Sequence, residues 1–129
     1  MHAKGSFEVK VTPQDDTTPQ STLGRMVLEK EYHGSLEASG KGQMLSAGTA
    51  VKGSGAYVAI ERVMGTLDGK RGSFTLQHSG SMTKGNPTMT ITIVPDSGTE
   101  ELTGIEGSEK ITIENGKHLY DLEYTLPNE

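Results

Sequence analysis

The chain has 129 residues but no cysteine, no tryptophan and only two phenylalanines. The absence of cysteine excludes disulfides, zinc sites built on thiolates and cysteine nucleophiles. The longest apolar runs have about five residues, far fewer than the roughly twenty that a membrane-spanning helix needs. Lysine and arginine form no cluster and the formal net charge is −5, whereas nucleic-acid binding needs a basic face. We therefore expect the protein to bind neither a membrane nor a nucleic acid.

Glycine, threonine and serine are abundant instead. The 17 glycines and the many hydroxyl side chains favour strands and tight turns over helices. Only 32% of the residues are apolar, so the core is expected to be thin or to surround a small interior. The length predicts one domain, residues 1–129. The N-terminal run MHAKGSFEVKV alternates at once without an apolar signal region, and together with the lack of cysteine this favours a cytoplasmic protein.

The strongest strand signal is a hairpin at residues 56–81, AYVAIERVMGTLDGKRGSFTLQHSGS, with its turn at Asp68-Gly69. A two-residue turn places Ala59 opposite His78, whereas a loop two residues longer places Glu61 opposite His78; the sequence leaves this choice open. Because side chains alternate along strands, both pairings bring the same residues to one face. These residues are Tyr57, Ala59, Glu61, Val63, Phe74, Leu76 and His78.

Alternation of apolar and polar residues predicts the remaining strands. They lie in residues 2–12, 24–33, 35–45 and 88–95 and in a second hairpin at 107–126, which turns at Asn115-Gly116. The segment 24–33 is also rich in helix-forming residues, so a helix is the weaker alternative there. The resulting eight strands with mainly short connections predict an all-β, antiparallel, eight-stranded barrel with a narrow interior.

Three connections interrupt this pattern. Residues 13–22 form a polar loop, either a mobile flap or a solvated connection, and residues 46–55 form a flexible one. Residues 96–106 hold the one predicted helical turn, near residues 99–103. Thr99 is expected to cap this turn, and Leu102 and Ile105 to plug one end of the barrel.

The strand at residues 56–67 is apolar on its second face as well. That face carries Val58, Ile60 and Met64. Because exposed apolar patches usually mark contacts, we expect a subunit interface here and a homo-oligomer formed through this strand.

Chemistry is most plausible where polar residues share the apolar inward face. Glu61 and His78 could form a general acid–base pair, with Tyr57 or Tyr120 donating to an oxyanion. The structural alternative is that the two residues are buried and hydrogen-bond only to each other, or that Glu61 forms a salt bridge to a neighbouring strand. Lys30 could be a buried amine, could extend to solvent, or could pair with a carboxylate.

The side chains expected to line a ligand site in the lumen are aromatic or aliphatic residues of the inward faces. They are Phe7, Tyr57, Phe74, Leu76, Tyr120 and Tyr124.

The sequence indicates neither a metal nor a cofactor. The histidines, His2, His33, His78 and His118, lie on different predicted strands without ligand spacing. Asp15-Asp16 lacks the glycine and the terminal glutamate of a calcium loop, and no glycine-rich phosphate loop opens a helix.

Several motifs resemble a known family. The runs GAYVAIERVMGTLDGKRGSFTLQHSGSM, VPDSGTEELTGIEGS and GKHLYDLEYTL, together with MHAKGSFEVKVTPQ and LGRMVLEKEYHGSLEASGKGQMLSA, resemble the bacterial family called domain of unknown function 3224. Glu100 stands where the family pattern has a glycine. The family resembles barrels of the allene oxide cyclase type, which include plant cyclases and dirigent-type proteins. The resemblance implies the same eight-stranded barrel, but a fold does not fix a function.

The function expected from these features is the binding of a small apolar or amphipathic molecule in the lumen. One alternative is an isomerase or cyclase that uses Glu61 and His78 for proton transfer. Another is a structural oligomerisation module with a filled core. A continuous cavity that reaches Glu61 and His78 would favour binding or catalysis, and a filled interior would favour the structural module.

Overall fold

The computed structural model describes residues 1–14 and 23–127. Its strands form one closed antiparallel barrel in which each strand pairs with the next and the last pairs with the first. This confirms the predicted fold class. The strands are β1 (His2–Pro13), β2 (Leu23–Gly34), β3 (Leu36–Gly48), β4 (Gly55–Leu67), β5 (Lys70–Thr83), β6 (Asn86–Ile93), β7 (Glu106–Glu114) and β8 (Lys117–Thr125).

One expectation about the first half of the chain is tested by the structure, and another falls mainly outside the described residues. Residues 24–33 lie in β2, so the helical alternative for this segment is wrong. The polar loop predicted at 13–22 falls mainly on residues 15–22, which include Asp15-Asp16 and lie outside the described residues.

The turn at Asp68-Gly69 has two residues, and it settles which side chains face one another. Asp68 and Gly69 have φ angles of 49° and 83°, as a type I′ hairpin turn requires. Leu67 therefore pairs with Lys70, and Ala59 lies opposite His78. The second hairpin has the same geometry at Asn115-Gly116.

The register of β6 places its aliphatic residues inward. The turn before it lies at Lys84-Gly85, one residue earlier than the predicted turn, and His78 pairs with Ile91. Ile91 and Ile93 are buried, whereas Met89 on the same face is 49% exposed. The inward face of β6 thus changes from buried to exposed along the strand.

One end of the barrel is filled by apolar side chains, and we call it the closed end. It carries the Asp68-Gly69 turn and a 3₁₀ helix at Glu100–Leu102. Leu102 and Ile105 are buried in the core, as predicted. Thr99 occupies the N-cap position, as predicted, but its side chain makes no capping hydrogen bond. Its hydroxyl lies 2.7 Å from the Ser73 hydroxyl instead.

Glu100 has a φ angle of 52°, in the left-handed region that glycine adopts most easily. This backbone conformation suits the glycine that the family resemblance implies at this position. No helix among the described residues is long and apolar enough to cross a membrane.

The opposite end, which we call the open end, exposes side chains that point inward. It carries the Lys84-Gly85 and Asn115-Gly116 turns. Inward-facing apolar residues here are exposed, in contrast to those of the closed end. They are Val11, Met82, Met89 and Ile113, of which Ile113 is 66% exposed.

The barrel wall is least complete between β6 and β7. Across the described residues of these two strands, the ladder consists of the pairs Ile91–Glu109 and Thr92–Ser108. The segments Asn86–Thr90 and Lys110–Glu114, which run on to the open end, do not pair with each other. We call these two unpaired segments the β6–β7 gap, and Glu109 is the last paired residue of β7 before it.

Candidate functional site

The carboxylate of Glu61 is the centre of a buried polar cluster. One of its oxygens, Oε1, lies 2.9 Å from Lys30 Nζ and 3.0 Å from His78 Nε2. The other, Oε2, accepts a hydrogen bond from the Tyr32 hydroxyl. We call Lys30, Tyr32, Glu61 and His78 the polar cluster; Glu61 itself is 0% exposed.

The expected hydrogen-bonding contact between Glu61 and His78 is therefore present, although the two residues are not directly opposite each other. Glu61 also forms a salt bridge, but with Lys30 on β2, which reaches it across β3, and not with a neighbouring strand as predicted. Of the possibilities open for Lys30, the structure shows pairing with a carboxylate.

Gly40 makes room for this cluster on β3, which lies between β2 and β4. A Cβ atom at this position would lie 2.3 Å from Glu61 Oε2 and 3.2 Å from Cε2 of Tyr32. Any side chain at Gly40 would therefore displace the carboxylate. The absence of a side chain at this position on the inward face of β3 thus reflects crowding by the polar cluster.

Electrostatics make Glu61 a weak base. Burial alone would raise the pKa of its carboxyl, but the His78 hydrogen bond, the Lys30 charge and the Tyr32 hydrogen bond outweigh burial and hold the pKa below its ordinary value. Burial and the charge of Glu61 raise the pKa of Tyr32, which stays a hydrogen-bond donor. An ionised carboxylate that already accepts three hydrogen bonds is poorly suited to general base catalysis.

Glu109 is a second buried carboxyl group that the sequence interpretation missed. It is 4% exposed, and neither side-chain oxygen has a hydrogen-bond partner among the described residues. Burial raises its pKa to about 7, and the charge of Glu61 adds to this against the opposing charge of Lys30. Its alternation with Ile111 and Ile113 on the inward face of β7 is the signal that could have identified it.

The predicted lining residues do not form one site. Phe74, Leu76 and Tyr124 are buried in the core. The Tyr124 hydroxyl donates to Asp68, and burial together with this hydrogen bond raises the pKa of Tyr124 to about 12. Phe7 is also buried, with its ring 5.5 Å from the Tyr32 ring.

Tyr120 is occupied by backbone contacts. Its hydroxyl donates to the His33 carbonyl at 3.0 Å and accepts from the Leu36 amide at 2.9 Å. This geometry leaves it poorly placed to act as the predicted oxyanion donor. It fixes the β2–β3 turn against β8 instead.

Tyr57 borders a pocket at the open end, whereas Phe7 and Tyr120 border other pockets. The open-end pocket has a volume of about 420 Å³. Tyr57, Met82 and Met89 contribute inward-facing side chains to it. Its lining does not include Glu61, His78 or Glu109, so the polar cluster and the open-end pocket are separate layers of the barrel.

Among the described residues, no group of three or more histidines and carboxylates could hold a metal ion.

Comparison with known proteins gives a family but no activity. The model of a family described as protein of unknown function (DUF3224) matches residues 3–124. A crystal structure of a protein of unknown function from the DUF3224 family of Shewanella oneidensis is 48% identical, with a TM-score of 0.93 over 100% of this chain and 98% of that one. No curated protein matches the chain. The wider likeness to allene oxide cyclase-type barrels is not shown by these comparisons.

Proposed function

The chain belongs to the DUF3224 family of proteins of unknown function, and we propose that it binds a small apolar or amphipathic molecule at the open end of its barrel. A single observation carries this proposal: inward-facing apolar side chains are exposed around a pocket of about 420 Å³. Ligand sites in small barrels commonly lie at the mouth. Methionine suits such a site because its flexible thioether adapts to differently shaped ligands.

We predict that the protein binds the neutral fluorescent probe N-phenyl-1-naphthylamine and that Met89→Glu weakens this binding about tenfold. The introduced carboxylate would lose solvation when the apolar probe covers it. Fluorescence titration measures the dissociation constant. Thr90→Glu is the matched control, because Thr90 is exposed on the same strand and its side chain lies on the opposite, outer face. Equal effects of the two substitutions would contradict a site at the open end, and so would a complete lack of probe binding.

The second candidate is an isomerase or cyclase that uses Glu61 and His78. The contact of 3.0 Å between them favours it. The three hydrogen bonds that Glu61 accepts, together with its lowered pKa, favour a structural role for the polar cluster instead. The open-end pocket does not reach Glu61 or His78, and the core around them is filled, which favours the structural module for that layer of the barrel. We therefore propose binding at the open end alone. The likeness to allene oxide cyclase-type barrels and the cytoplasmic location stay predictions.

We also propose that a second copy of this chain covers the outer face of β4. Val58, Ile60 and Met64 are exposed there, and Val58 pairs directly with exposed Leu45 of β3. Val58, Ile60 and Leu45 form an apolar surface across two strands, and Arg62 separates Met64 from it. A two-fold axis through this surface would bring identical apolar residues together. The resulting homo-oligomer would bury this surface.

Sedimentation by analytical ultracentrifugation at micromolar concentration is expected to give an oligomer for the unchanged protein and a monomer for Val58→Lys. The introduced ammonium groups would be desolvated in the interface. Thr112→Lys, at an exposed position of β7, is the control and should leave the oligomer intact. A monomeric unchanged protein would refute the interface.

A further inference from the structure

Glu109 lies where the β6–β7 ladder ends. It pairs with Ile91, and beyond this pair neither strand has a partner across the gap. Its carboxyl group points to the barrel interior, is 4% exposed and contacts no hydrogen-bond donor of the described protein. The inward-facing residues next to it along the gap, Met89, Ile111 and Ile113, are apolar and incompletely buried. Apolar side chains therefore line the inward face between the open end and an unsatisfied acid.

Charges in the interior determine what could satisfy this acid. The carboxylate of Glu61 is paired with the ammonium group of Lys30 at 2.9 Å, and His78 and Tyr32 complete its hydrogen bonds. Glu109 has no such cation of its own. A ligand that brings a carboxylate or phosphate would add a further negative charge to a buried region that already holds two acids, which is costly at low dielectric constant.

We propose that the ligand of the open end is an amphipathic primary amine whose ammonium group binds the carboxylate of Glu109 through the β6–β7 gap. This inference rests on the proposed binding function and specifies its ligand class. An ammonium group offers three donors, and an ionised carboxylate offers two acceptor oxygens, so both oxygens of Glu109 gain a donor and the third N–H of the amine faces the open end. The apolar part of the amine would contact Met89, Ile111 and Ile113. The pKa of about 7 for Glu109 allows the amine to displace the proton near neutral pH.

Displacement of bound N-phenyl-1-naphthylamine by decylamine, decanol and decanoate tests the proposal, because these probes share a chain and differ in the head group. Decylamine is expected to bind at least about tenfold more tightly than decanoate, with decanol between them. Glu109→Gln should remove the advantage of decylamine over decanol. Glu114→Gln is the matched control: it makes the same charge change at an exposed position of the same strand. It should leave the order of affinities unchanged.

The outcomes separate this inference from the function on which it rests. If all three probes displace the dye equally, or if Glu109→Gln keeps the preference for the amine, the open end binds apolar chains and Glu109 is not their anchor. If Glu114→Gln weakens decylamine as much as Glu109→Gln does, the preference comes from the net charge of −5 and the inference fails. If the dye itself does not bind, the proposed function fails as well. Circular dichroism of each variant confirms that the barrel is folded.

Discussion

Replacing Glu109 with glutamine is expected to stabilise the barrel against unfolding by about 3 kcal/mol above pH 7 and to change little below pH 4.5. The reason is the burial of an acid without a protein partner. Glutamine keeps nearly the same shape but has no charge to lose solvation.

The sign follows from proton binding in the two states. The pKa of Glu109 is raised from 4.5 to about 7 in the folded protein. Between these values the folded state holds more protons than the unfolded state, so stability is lost as pH rises through this window. Each unit of pKa difference corresponds to about 1.4 kcal/mol, which gives about 3 kcal/mol for the whole window. Glu109→Gln removes this loss, while the contributions of the other ionisable groups are common to both proteins.

Urea unfolding measured at several pH values gives the free energy of unfolding of both proteins. The difference between them should grow from near zero below pH 4.5 to its full value above pH 7. Glu114→Gln, at an exposed position of the same strand, should show no such growth. If the free energy of unfolding changes with pH in the same way for Glu109→Gln and the unchanged protein, Glu109 ionises in the folded state as easily as in water.

The fold could be predicted from the sequence because its determinants are local. Alternation defined the inward faces, and the dipeptides Asp68-Gly69 and Asn115-Gly116 adopt the positive φ angles that their turn type needs. The register of β4 against β5 depends on the length of one turn, and the sequence is compatible with two lengths that differ by two residues. The structure has the shorter one.

The candidate site was less predictable because its contacts cross the barrel. Lys30 and Glu61 lie on strands that are not neighbours, and their contact depends on curvature and on the space left by Gly40. Alternation assigned Met89 to the same face as Ile91, but it could not show that the β6–β7 ladder ends beside them. The exposure of Met89 and the position of Glu109 at the gap follow from that ending.

Glu61→Gln is expected to destabilise the protein by about 3–5 kcal/mol, because it leaves the buried ammonium group of Lys30 without its carboxylate. The double substitution Lys30→Met/Glu61→Gln should cost less than the sum of the two single substitutions. The single oxygen of glutamine can still accept a hydrogen bond from His78 or Tyr32, and methionine carries no charge. We expect a coupling energy of about 2 kcal/mol.

Urea is the suitable denaturant for this double-mutant cycle, since guanidinium chloride would screen the charges that are measured. Additive effects of the two substitutions would mean that Lys30 and Glu61 stabilise the barrel by packing alone. His78 and Tyr32 are unchanged in all four proteins, so their own contributions cancel from the coupling energy.

The cost of Glu61→Gln should also depend on pH, through Glu109. The charge of Glu61 raises the pKa of Glu109 and that of Lys30 lowers it, so removing Glu61 leaves Lys30 free to stabilise an ionised Glu109. Above pH 7 the unchanged protein has two buried carboxylates and the one ammonium group of Lys30. The variant has only the carboxylate of Glu109, which Lys30 can balance. The cost of Glu61→Gln should therefore be smaller above pH 7 than near pH 5, by about 1 kcal/mol or more. A cost that does not vary with pH would mean that Glu109 does not share the charge of Lys30, and that the polar cluster is electrostatically complete without it.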